Sequence, residues 1–120
     1  MKYIGINGGG NDWPIKATNH LDAIVEAYED MTWGFSGMSD NDFDRLFRDE
    51  RLNCCIDCYA DDATEDDEPL ASAYIEWHFS CDDGEYSLRE VRVSLFDDTE
   101  IVVKSDENFR KAIEQYMATN

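Results

Sequence analysis

Apolar and polar positions alternate most clearly over "LASAYIEWHFSC". There Ala71, Ala73, Ile75, Trp77, Phe79 and Cys81 are interleaved with Ser72, Tyr74, Glu76, His78 and Ser80. A period of two places the first set on one face of a β-strand. Asp83-Gly84 then marks a hairpin, and "EYSLREVRVSLF" returns with Val91, Val93 and Leu95 on one face. Tyr86 and Leu88 fall out of phase with that set, which predicts a β-bulge near Arg89-Glu90. "DDTE" turns the chain again into "IVVK", giving a three-stranded antiparallel meander.

Helical periodicity governs three other stretches. "TNHLDAIVEAYEDMTW" spaces Leu21, Ile24, Val25, Tyr28 and Met31 as one helix face, with Thr18 or Asn19 as N-cap. "GFSGM" reads as a flexible break, after which Ser39-x-x-Asp42 resembles a capping box. The helix it opens carries Phe43, Leu46 and Phe47, with Arg45, Arg48 and Arg51 on another side. Ser105 is expected to start a last helix, with acids in its first turn and Phe109, Ala112, Ile113, Tyr116 and Met117 as its buried stripe. "KYIGI" reads as a first strand, "NGGGNDWP" as a loop, and "NCCIDCYA" as a strand in preference to a helical extension. The predicted class is α+β: an antiparallel sheet of the meander plus one or two further strands, with two N-terminal helices and one C-terminal helix packed on it. At 120 residues the chain is expected to form one domain, with an exposed acidic loop at about 60–69.

Charge changes this picture most. There are 10 Lys and Arg against 28 Asp and Glu, a net charge of −18. The 42% apolar content, with 3 Trp, 6 Tyr and 6 Phe, predicts a folded core inside an acidic shell rather than a disordered chain. Self-repulsion in such a shell opposes compaction. The acids crowd in "YADDATEDDEPL", where Asp61, Asp62, Glu65, Asp66, Asp67 and Glu68 meet no positive side chain. Glu26, Glu29 and Asp30 form a second patch on the first helix. Helical i, i+4 steps of about 6 Å and strand i, i+2 steps of about 6.6 Å fix negative charges at intervals on the scale of a phosphate backbone.

Other chemistry is weaker in the sequence. "GINGGGND" fits neither the Walker pattern nor G-x-G-x-x-G, and a phosphate there meets net repulsion. Cys55-x-x-Cys58 with His78-x-x-Cys81 offers four zinc ligands and Cys54 a fifth sulfur. On strands, however, an i, i+3 pair points to opposite faces, so reduced core cysteines are the preferred reading. "DDATEDDE" lacks the EF-hand order, and neither His20 nor His78 accompanies a nucleophile in a recognisable motif. No enzyme signature, catalytic residue, metal site or cofactor is predicted. The first residues lack an apolar signal segment and no apolar run reaches the roughly 18 residues of a membrane span. A cytoplasmic protein that binds no membrane is therefore expected.

In size, charge and aromatic content the chain resembles the phage and plasmid proteins that act as DNA mimics, among them antirestriction and anti-CRISPR inhibitors. The likeness is one of composition and transfers no residue. It implies a non-enzymatic inhibitor, acting in the host cytoplasm if phage-encoded, that binds no nucleic acid itself. It would instead occupy the DNA or RNA site of a basic protein through Asp61, Asp62, Glu65, Asp66, Asp67 and Glu68, with Glu26, Glu29 and Asp30 in support. Trp13 or Trp33 would act as an apolar anchor. The alternatives are an immunity-type or adaptor protein plugging one basic partner, and a small zinc-binding domain.

Overall fold

A computed structural model describes residues 1–64 and 66–118. The chain folds into six strands and three helices: β1 (Lys2–Asn7), β2 (Asp12–Ile15), α1 (His20–Ser36), α2 (Asp40–Arg48), β3 (Asn53–Tyr59), β4 (Ala71–Asp82), β5 (Glu85–Ser94), β6 (Glu100–Lys104) and α3 (Phe109–Ala118). The strands form one antiparallel sheet in the order β2-β1-β3-β4-β5-β6. The result is α+β with helices on one sheet face, as the periodicities predict, and the sheet is wider than the meander with one or two additions.

The extra strand is β2, within the segment read as a loop. Asn7 makes it possible: its Oδ1 accepts the N–H groups of Gly9 and Asn11 at 2.9 and 3.1 Å, closing a tight reversal. Gly5 lies opposite Trp13, and a Cβ on it would stand 2.6 Å from the indole, so only glycine lets the ring lie flat on β1. Pro14 is tolerated because β2 is an edge strand, where a missing N–H breaks no ladder bond.

The core lies between the sheet and the helices. Tyr3, Ile56, Cys54, Cys58, Ala73, Ile75, Trp77, Val91, Val93, Ile101 and Val103 face Ala23, Ile24, Ala27, Phe109 and Ile113. Tyr28 of α1 stacks on Phe109 of α3 at 3.8 Å and on Trp77 at 5.9 Å. Helix α2 has no fully buried residue. It is held by rings, Phe43 against Phe35, Phe79 and Tyr86, and Phe47 against Tyr86.

Several boundaries differ from the sequence reading, each for a local reason. Helix α1 runs through Gly34 to Ser36 because Phe35 is buried, edge-on to Trp77 at 5.3 Å. Asn19 rather than Thr18 is its cap, accepting from the Asp22 N–H at 2.9 Å. Helix α3 starts at Phe109, not Ser105, and has no acid in its first turn. Glu107 is drawn into a turn with Lys104, and Asn108 Oδ1 takes the Lys111 N–H at 3.0 Å as the cap. Cys81, assigned to the dry face of β4, is exposed near the hairpin tip. Ser39 caps α2 as expected, accepting from Asp42 at 3.2 Å. The bulge also falls where the phase break places it: His78 pairs with Glu90 and Phe79 with Leu88, leaving Arg89 as the extra residue. Among the described residues no helix is long and apolar enough to cross a membrane.

Candidate partner-binding surface

Two connections meet at one end of the sheet. In an antiparallel order the β3–β4 and β5–β6 links must leave from the same end. The acidic loop (60–70) therefore shares that end with the turn carrying Asp97 and Asp98. A cleft of about 290 Å³ lined by His20, Ala71, Leu95, Phe96, Asp97 and Met117 joins the stem of one to the other. The loop is anchored by its backbone: Leu70 N–H donates to the Cys58 carbonyl at 2.7 Å, and Ala63 N–H to that of Ala60 at 3.1 Å. Asp67 is tied both ways, its N–H to the Thr64 carbonyl at 3.1 Å and its Oδ2 to the Thr64 N–H at 2.9 Å.

Of the predicted loop acids, Asp61 pairs with the N-terminal amine at 2.8 Å. The hydrogen bond and the charge of that amine hold its carboxyl below the ordinary range. Asp62, Asp66 and Glu68 are exposed, and Glu65 lies outside the described residues. Asp97, absent from the predicted site, is lowered by hydrogen bonds from Thr99, whose N–H lies 3.1 Å from its Oδ1. Met1 and Leu70 are exposed apolar side chains beside these acids, Leu70 to 63%.

Four of the cations are committed to acids outside the loop. Arg48 pairs with Asp44 at 2.9 Å, and Arg92 and Lys104 share Glu90 at 2.8 and 3.5 Å. Arg110 bridges Asp22 and Glu114 at 2.9 and 3.6 Å. Among the described residues, no lysine or arginine forms an ion pair with the loop. Among the described residues its one ion pair is that of Asp61 with the N-terminal amine, and the charge of Lys2 acts on the same carboxyl from further off.

The α1 patch lies apart, beside the β2 edge, and is partly structural. Glu26 Oε2 accepts the Lys16 N–H at 2.7 Å and Asp30 Oδ2 accepts the Trp13 indole N–H at 3.3 Å, so both hold β2 against the helix. Glu29 remains exposed. Of the two candidate anchors, Trp13 is half-buried over Gly5 and Trp33 is 81% exposed. Trp33 follows Glu29 by four residues and Asp30 by three, so it shares their helix face. It lines a cleft of about 350 Å³ with Asn7, Trp13, Asp30 and Met31.

No family model, curated protein or solved structure matches this chain. The surface must be read from its own chemistry.

The cysteine–histidine set does not converge. Cys54 and Cys58 are buried under the helices, Cys55 shares the open sheet face with His78, and Cys81 is near the β4–β5 tip. Among the described residues no three His, Cys, Asp or Glu side chains are grouped to hold a metal ion. Burial pushes the Cys54 thiol up to about 12, and burial with the Asp57 contact raises Cys55 to about 11. Burial also raises Tyr3 to about 12. These groups are more readily ionised in the unfolded chain. Their contribution to stability is complete below the ordinary thiol and phenol values of 9.0 and 10.0 and is lost as pH rises towards about 12. The urea midpoint should accordingly fall steadily above pH 9.0, and a midpoint constant up to about 12 would contradict this assignment. At neutral pH a thiol reagent should label Cys81 first, and Cys81→Ser should remove that fast phase.

Proposed function

We propose that the protein is a non-enzymatic inhibitor that occupies the nucleic-acid site of a basic protein. The observation that carries the reading is the acidic end, where carboxylates from two connections stand exposed and, among the described residues, no lysine or arginine is ion-paired to the loop. A cluster of this kind, with far more carboxylates than paired cations, steers a cationic surface into contact. It also lets that surface release the counterions it would release on binding DNA. Asp61, Asp62, Glu65, Asp66, Asp67 and Glu68 would supply the charge, extended by Asp97 and Asp98, and Leu70 an apolar contact between them. The protein would act in the cytoplasm, alongside its target.

A second reading, an immunity-type or adaptor protein plugging one basic partner, draws support from Trp33. An exposed tryptophan beside Glu29 and Asp30 is the kind of anchor that dominates shape-specific interfaces.

Capture from bacterial lysate on the immobilised protein, with and without excess duplex DNA, separates the two. The inhibitor reading predicts that a nucleic-acid-binding protein is retained and that duplex DNA releases it. Retention indifferent to DNA but lost with Trp33→Ala supports the second reading, and retention of nothing contradicts both.

A further inference from the structure

The sheet has two edges, and they are treated differently. At β2 the edge is only four residues long, Pro14 offers no N–H, and Glu26 and Asp30 of α1 take up the Lys16 amide and the Trp13 indole. These are common devices for blunting an edge. Strand β6 has no proline and, among the described residues, no helix acid bonded along its centre, and Val102 at its midpoint is 46% exposed.

The ladder fixes which way its backbone points. Thr99 accepts from the Leu95 N–H at 2.8 Å and the Ser105 N–H donates to Arg89 at 3.2 Å, so the odd-numbered residues of β6 bond inward to β5. By the alternation of antiparallel pairs, Glu100, Val102 and Lys104 direct their N–H and C=O groups outward. Glu107 already holds those of Lys104, its Oε1 accepting the N–H at 3.0 Å and its own N–H reaching the carbonyl at 3.0 Å.

The strand "EIVVK" is also self-complementary. Laid antiparallel on itself about Val102, it sets Val102 opposite Val102 of the second copy and Ile101 opposite Val103. Glu100 then faces Lys104 twice. The two ion pairs and the valine pair fall on the open sheet face, and the Ile–Val pairs continue the buried face. A shift by two residues one way sets Glu100 opposite Asp106, and the other way sets Lys104 opposite Asp98, which lies in the turn outside the strand. Lys104 can leave Glu90 without stranding it, because Arg92 stays at 2.8 Å. The antiparallel arrangement sends the two acidic ends to opposite sides, which limits the repulsion between copies each carrying −18.

We propose that the protein self-associates through β6 into a two-fold dimer with one continuous sheet, in the register Glu100–Lys104, Ile101–Val103, Val102–Val102. This is independent of what the acidic end binds.

Sedimentation equilibrium on the full chain tests it. The expected result is a reversible monomer–dimer equilibrium. Glu100→Lys and Lys104→Glu each place two like-charge pairs opposite one another and should each weaken it by about tenfold. An equimolar mixture of the two variants, whose heterodimer has two Lys–Glu pairs, should restore dimer. A pure net-charge effect would instead tighten the first variant and loosen the second. Val102→Pro, which removes only an outward N–H, should abolish the dimer with the circular dichroism unchanged, and Glu107→Ala should tighten it. A chain that stays monomeric, or singles that are not rescued by mixing, would overturn the proposal.

Discussion

Replacing Trp77 with alanine should lower stability by about 3–5 kcal/mol, a loss typical of a buried aromatic truncated in a packed core. Trp77 is the point at which the sheet, α1 and the approach to β3 meet. Its ring lies parallel to Tyr28 at 5.9 Å and edge-on to Phe35 at 5.3 Å. Its indole N–H donates to Thr32 Oγ1 at 3.3 Å, and its backbone N–H donates to the Leu52 carbonyl at 2.9 Å. Only the ring contacts and the indole bond are lost in the variant, so the cost is mostly cavity and transfer. Against a domain stability of roughly 5–15 kcal/mol this is a large fraction. Trp33→Ala is the control: at 81% exposed it should change stability by no more than about 0.5 kcal/mol. Urea unfolding followed by circular dichroism measures both. A loss at Trp77 no greater than that at Trp33 would mean that the aromatic bridge does not hold the helix layer to the sheet.

The second large effect concerns binding. Neutralising Asp62, Asp66, Asp67 and Glu68 to their amides should slow association with the basic partner by about 10–10³-fold, the range over which charge steering accelerates encounter. The effect should shrink as salt is raised, because exposed charges are screened within a Debye length of about 8 Å at physiological ionic strength. The fold should persist, since these side chains lie outside the core, and relief of self-repulsion opposes any loss from the Asp67–Thr64 contact. Neutralising Glu26 and Asp30 is a different experiment. It frees the Lys16 amide and the Trp13 indole, so a loss of binding there would be confounded by loosening of β2.

Local patterns made much of the fold legible. The alternation in β4, the phase break at Arg89 and the 3.6-residue stripes of α1 and α2 are each written in neighbouring residues. What escaped depends on residues distant in sequence. Strand β2 needs the empty face of Gly5 under Trp13, and Phe35 extends α1 only because Trp77 lies opposite it. The contribution of Asp97 and Asp98 to the acidic end follows from strand order, which a single sequence does not state. Counting the reversals of the meander was the signal that could have located them. The acidic loop was visible at once from its composition. The half-structural character of the α1 patch was not, because nothing in "VEAYED" says that two of its acids reach back to β2.

The most direct test of the central claim uses the purified partner bound to a fluorescently labelled duplex. The unlabelled protein is titrated in, and anisotropy is followed at several salt concentrations. Competition for the nucleic-acid site predicts that duplex is released as the protein binds and that the loop-neutralised variant is far weaker. It also predicts that binding of the protein itself weakens with salt, as binding of DNA does. Formation of a ternary complex, with the protein bound and the duplex still held, would contradict the claim.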